Sequence, residues 1–151
     1  MAASPGEVTD VRTVEDDSGK RYVLLKRSGD SSLVRDPTTG EERYVENEAL
    51  SAVEGESPLE TAARAVSGPT RRVLRAVHSD TALGLLVELD ERGPVPVRDL
   101  MGSYDLCESD LHGLLAEFTA AGLVTEARVV GERGYELIDV AREGLAALRR
   151  E

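Results

Sequence analysis

The side chains able to do covalent or metal chemistry are few in this sequence, and their spacing limits them further. Cys107 is the single cysteine, and the histidine nearest to it in sequence, His112, follows five residues on. A nucleophile needs its base within hydrogen-bond reach, and on a helix that offset points the two side chains in different directions. Cys107 therefore reads as a small buried or capping residue. One cysteine excludes an intrachain disulfide and a cysteine-based zinc cluster, and His78 and His112 are too few to replace it. The carboxylates Asp16, Asp17, Asp30 and Asp36 fall in turns whose spacing matches no cation-binding loop. Lys26-Arg27-Ser28-Gly29 is not a phosphate loop, and neither GxGxxG nor HExxH occurs. The expectation is a protein without metal or cofactor and without catalysis.

Binding chemistry is better supplied. Residues 57–79 hold four arginines, Arg64, Arg71, Arg72 and Arg75, against Glu60, net +3. Residues 1–56 hold 7 basic and 13 acidic groups, net −6, and residues 80–122 hold 2 and 9, net −7. Residues 123–151 are close to balance, with 5 and 6. Two readings of the basic stretch stand: a connector whose arginines pair with acidic neighbours, or an arm that contacts phosphates through Arg71, Arg72 and Arg75.

The first segment reads as β. Val11–Val14, Tyr22–Lys26, Leu33–Arg35 and Arg43–Val45 are rich in strand formers. Between them lie the turn clusters Asp16–Gly19, Ser28–Ser31 and Asp36–Gly40. This predicts a small antiparallel β domain over 9–54, with a short helix or turn near Asn47–Val53. A disordered N-terminus, 1–8, precedes it. Glu54–Pro58 looks like a linker and opens a basic helical connector over 55–79, with helical pieces Leu59–Val66 and Thr70–Val77 broken by Ser67-Gly68-Pro69.

From residue 80 to 151 a second domain is expected. Ser79 or Asp80 caps a helix over Thr81–Glu91 with Leu83, Leu86 and Val87 on one face. Arg92-Gly93-Pro94 ends it, Val95 to Val97 is extended, and Val97–Met101 forms a short second helix. A third helix carries Leu111, Leu114, Leu115 and Phe118 on its apolar face and ends at Gly122. Leu123–Val130 and Tyr135–Ile138 read as strands around a tip Gly131-Glu132-Arg133-Gly134. Asp139 caps a last helix bearing Ala141, Leu145 and Leu148. The fold class is thus α+β.

That order of elements over about 79–150 resembles the winged helix-turn-helix domain of ArsR- and MarR-like transcription regulators. The resemblance is carried by Val97-Arg98-Asp99-Leu100, by Leu106 through Phe118, by Ala120-Ala121-Gly122-Leu123-Val124, and by the run LVTEARVVGERGYEL as the wing. It implies that the third helix enters the major groove of double-stranded DNA, presenting Ser109, His112, Gly113 and Ala116. Ser109 and His112 would then hydrogen-bond base edges or phosphates. Arg133 at the wing tip, supported by Arg128, would reach a minor groove or a phosphate, and Arg98 would contact the backbone. The helix has no Arg or Lys, and Glu108, Asp110 and Glu117 repel phosphate, which departs from the family pattern. A solvated hairpin with ion pairs to Glu126 or Glu132 is the plainer reading of the wing. The last helix either pairs two subunits as a homodimer or packs within its own domain.

Charge and composition set the setting. The chain has 151 residues and a net charge of −11; 16 of its 18 basic residues are arginine, with one Phe and no Trp. This resembles the acidic proteome of a salt-in halophile such as a haloarchaeon. No apolar run is long enough to span a bilayer, and the opening MAASPGEVTD has no basic stretch before an apolar one. A cytoplasmic transcription regulator without membrane contact is expected, with an N-terminal sheet that binds a protein partner, dimerises or senses a ligand. The reading from a different class is a protein–protein adaptor that docks through the acidic third helix.

Overall fold

The turn clusters of the first third act as the corners of a meander. In a computed structural model, which describes residues 10–149, strands β1 (Arg12–Glu15), β2 (Arg21–Ser28), β3 (Ser31–Arg35) and β4 (Glu42–Glu46) pair antiparallel in succession. The expected disordered segment 1–8 lies outside the described residues. Asp16 fixes the first corner: its Oδ1 accepts from the backbone N–H of Ser18 (2.9 Å) and of Lys20 (3.1 Å). Where a short helix or turn was expected, the chain makes a 3-10 turn, Asn47–Ala49, and then β5 (Ser51–Ala52) on the free side of β1. The five-stranded antiparallel order is β4-β3-β2-β1-β5.

This sheet has a small core of Val14, Tyr22, Leu24 and Val34, with Val45 and Leu50 against it. Tyr22 is 1% exposed. Its hydroxyl donates to Asp16 (3.1 Å) and accepts from Arg43 (2.7 Å), while Lys20 and Arg43 stand over its ring. A polar rim thus closes the core that so few apolar side chains leave open.

The linker reading of Glu54–Pro58 is corrected. Ser57 and Glu60 form a reciprocal capping box around Pro58, which starts helix α1 (Pro58–Ala62). Glu56 accepts from Arg21 (2.5 Å) and Arg64 (2.8 Å), and also from the Thr61 hydroxyl. The buried Thr61 hydroxyl in turn lies 2.5 Å from that of Thr13. The chain divides into two compact units, Met1–Val66 and Ser67–Glu151. The stretch 55–79 is therefore no single connector: its first half packs into the N-terminal unit and its second half into the C-terminal one.

The C-terminal unit runs α2 (Gly68–Ala76), α3 (Asp80–Arg92), β6 (Val95–Pro96), α4 (Val97–Ser103), α5 (Glu108–Ala120), β7 (Val124–Val129), β8 (Glu132–Leu137) and α6 (Asp139–Ala146). The strands form one antiparallel sheet in the order β6-β8-β7. Ser79 caps α3 by accepting from the Ala82 N–H at 3.1 Å. The buried face of α3 is Ala82, Leu85, Leu86 and Leu89, one step round from the expected Leu83, Leu86 and Val87, of which Leu83 and Val87 are half-buried. On α5 the expected face holds: Leu111, Leu115 and Phe118 are buried and Leu114 is half-buried. They meet Val73, Leu100, Leu123, Val124, Leu137 and Leu145 in one core.

Helix α6 starts after Ile138, with Asp139 as its first residue rather than its cap. It lies on α2 so closely that a Cβ on Gly144 would stand 2.3 Å from the Pro69 carbonyl oxygen. The Thr70 hydroxyl donates to the Gly144 carbonyl at 3.2 Å. Ala141 and Leu145 are buried there, while Leu148, beyond the helix, is 46% exposed. Among the described residues no helix is long and apolar enough to cross a membrane.

Candidate nucleic-acid interface

Two exposed features of the C-terminal unit carry the residues singled out in the sequence. The first is the outer side of α5. Because Leu111, Leu115 and Phe118 turn inward, the helical period turns Ser109, His112, Gly113 and Ala116 outward, and all four are exposed. His112 Nε2 lies 3.8 Å from Glu108 Oε1, one turn away. Glu108 and Asp110 occupy the first turn, where a helix favours negative charge. Cys107 holds the N-cap position but is exposed and makes no side-chain cap bond; its thiol is 3.4 Å from the Ser109 hydroxyl. It is thus the N-cap residue of α5, as expected, but it is exposed and caps through its backbone rather than its thiol.

The second feature is the β7–β8 hairpin. Val129 pairs with Glu132, so the loop is only Val130-Gly131, and the expected four-residue tip does not form. Both loop residues take positive φ, +51° and +81°. That is the pattern of a two-residue turn matched to strand twist, in which Asn-Gly is the relaxed choice. A side chain there costs roughly 1–2 kcal/mol, and for a β-branched one it is a true outlier. Val130 is also 96% exposed.

Arg133 is consequently not at the tip. It is the second residue of β8, directly across from Arg128 of β7. Arg128 donates to the Gly131 carbonyl at 3.0 Å, and among the described residues no carboxylate pairs with it. Arg133 donates to Glu126 (2.7 Å) and to the Tyr135 hydroxyl (2.9 Å), with its guanidinium over the Tyr135 ring. Arg98, first-turn residue of α4, donates to Glu132 at 2.8 Å. The hairpin thus gathers Arg98, Arg128 and Arg133 with Glu126 and Glu132. These ion pairs are exposed, and such pairs contribute about 0–1 kcal/mol each. A competing phosphate can take over the guanidinium groups at little cost to the fold.

A family model described as a family of unknown function (DUF7346) matches residues 11–149. The chain belongs to that family. The match spans β1 to the end of α6, so DUF7346 is defined by both units together rather than by the C-terminal one. No curated protein and no solved structure matches the chain.

The arginines of α2 are placed differently from those of the hairpin. Arg72 is exposed, and a Cβ on Gly122 would lie 3.3 Å from its Nη1. Its charge therefore sits beside the C-terminal end of α5, where the helix dipole welcomes it. Arg75 is exposed and Arg71 is half-buried. Sequence reasoning missed Val130 and Tyr135, whereas the expected ion pairs of the hairpin to Glu126 and Glu132 are present. The Val130-Gly131 dipeptide between two strand-forming runs was the available signal for the turn.

Proposed function

We propose that the C-terminal unit is a winged helix-turn-helix of the ArsR/MarR-like kind and that the protein is a DNA-binding transcription regulator. The observation that carries this is the succession α3–β6–α4–α5–β7–β8, with β6 closing onto β8 as the third strand beside the hairpin. In this reading the N-terminal half of α5 lies in the major groove, with Ser109 and His112 at base edges. Arg98, Arg128 and Arg133 exchange their exposed partners for phosphates. The turn that follows α6, where Leu148 is exposed, pairs two copies as a homodimer and sets two α5 helices about one helical turn of DNA apart. The mechanism involves no catalysis: bound protein blocks or recruits the transcription machinery in the cytoplasm.

One observation favours the second reading, an adaptor that docks another protein through α5. That helix exposes Glu108, Asp110 and Glu117 and has no Lys or Arg. Fluorescence anisotropy of a random duplex pool, in dilute and in concentrated KCl, separates the two. The DNA reading requires saturable binding that an Arg128→Ala/Arg133→Ala variant loses. Absence of binding by folded wild-type protein overturns it in favour of the adaptor.

A further inference from the structure

Val130 combines two features that the fold itself does not use. It is a β-branched residue at φ +51°, where Asn or Gly would be relaxed. Its side chain is also the most exposed large hydrophobic of the described residues, at 96%. An outlier of this kind points from structure toward function. Its surroundings indicate the partner. Arg128 is bonded to the carbonyl of the neighbouring Gly131 and pairs with no carboxylate among the described residues, and Arg133 faces it across the ladder. The nearest acidic residue along the chain, Glu132, is engaged by Arg98. An apolar point flanked by guanidinium groups suits a narrow channel with apolar base edges on its floor and phosphates on its walls.

We infer that Val130 is a wedge: the hairpin enters the minor groove of duplex DNA tip first, and Val130 partly unstacks one base step while Arg128 holds the flanking phosphates. The inference rests on the DNA-binding reading and deepens it. Apolar wedges in the minor groove kink DNA toward the major groove. The energy of opening a step depends on its stacking, and pyrimidine–purine steps yield most easily. The hairpin would then select deformable TA and CA steps at positions where no base edge is read.

The test compares wild type, Val130→Asn, and Arg128→Ala/Arg133→Ala on two end-labelled duplexes of equal base composition. One has central TA steps and the other an unbroken A-tract; anisotropy reads affinity and energy transfer between the ends reads bending. Wild type is expected to prefer the TA duplex by about tenfold and to shorten its end-to-end distance. Val130→Asn, which fits the turn better, should melt at a higher temperature yet lose both the preference and the bend. It should keep the salt-dependent binding that the arginine variant loses. If Val130→Asn bends and discriminates like wild type, the wedge is wrong while DNA binding stands. If wild type binds neither duplex, the DNA reading falls and the wedge with it.

Discussion

Arg128 and Arg133 stand directly opposite each other in the β7–β8 ladder, two like charges on one face of a two-stranded ribbon. Glu126 answers only one of them. Like charges in register across a ladder are destabilising, by a few tenths to about 1 kcal/mol. Arg128→Thr should therefore raise stability by that amount in urea denaturation. Under the proposed DNA-binding function, the same variant should weaken binding uniformly across sequences and flatten the logarithmic salt dependence by about one unit. Stability and binding moving in opposite directions is the outcome that separates a retained functional charge from a structural one.

Gly144→Ala should be among the most damaging single-methyl additions. The new Cβ would meet the Pro69 carbonyl oxygen and the Thr70 nitrogen, both backbone, so relief requires α6 to move off α2. Overpacking of this sort costs about 1–3 kcal/mol, and the upper end is expected in urea denaturation. Gly113→Ala is the contrasting case. It lies mid-helix in α5 with open space around the added methyl and should stabilise by about 0.5–1 kcal/mol.

The Thr61 hydroxyl gives its proton to Glu56, so the Thr13 hydroxyl must be the donor in the pair they share. Thr61→Val removes Thr13's acceptor while Thr13 stays buried. The expected loss is about 1–3 kcal/mol. Thr13→Val/Thr61→Val should recover part of it, and a double-mutant cycle on thermal unfolding reads the coupling.

Acid should destabilise the N-terminal unit through three carboxylates whose pKa values are lowered from their ordinary ones. Hydrogen bonding from Ser18 lowers Asp16, that from Lys20 lowers Asp36, and that from Thr61, followed by Arg21, lowers Glu56. The folded state therefore holds these protons more weakly than the unfolded chain. The stabilisation is fully present above the ordinary values, 4.5 for Glu56 and 3.8 for the aspartates. It fades as pH falls through them toward the lower folded values. Circular-dichroism melting temperatures against pH should drop in that window, and Glu56→Gln should flatten part of the fall.

What the sequence made legible was local chemistry. Turn clusters located β1 to β4 because Asp, Gly and Pro dictate corners wherever they stand. The leucine spacing of α5 revealed its inward and outward faces for the same reason. Contacts distant in sequence escaped. Strand β5 is two residues long and exists only because β1 lies beside it. Gly134 looked like one end of a hairpin tip, which placed Arg133 at the apex. Its real constraint is β6: a Cβ there would fall 2.4 Å from the Val95 carbonyl oxygen. The glycine admits a neighbouring strand rather than a turn. The capping box at Ser57 and Glu60 was readable, but the adjoining Gly55 and Pro58 suggested a linker more strongly. In the candidate interface, exposure followed from periodicity, whereas which carboxylate holds which arginine did not.

The contact of α6 on α2 also has a kinetic meaning. The bond from Thr70 to Gly144 joins residues 74 apart, so it closes a loop containing α3, α4, α5 and the hairpin. Such a closure carries a large entropic cost until the intervening chain has condensed, and it therefore belongs late on the folding route. Because the first and last helices of this unit touch, a circularly permuted chain beginning at Ser79, the cap of α3, and joining α6 to α2 through a short linker would keep the contacts of α6 on α2. That permutation would turn the slowest closure into a local one, and the unit should refold faster without a change in its final structure.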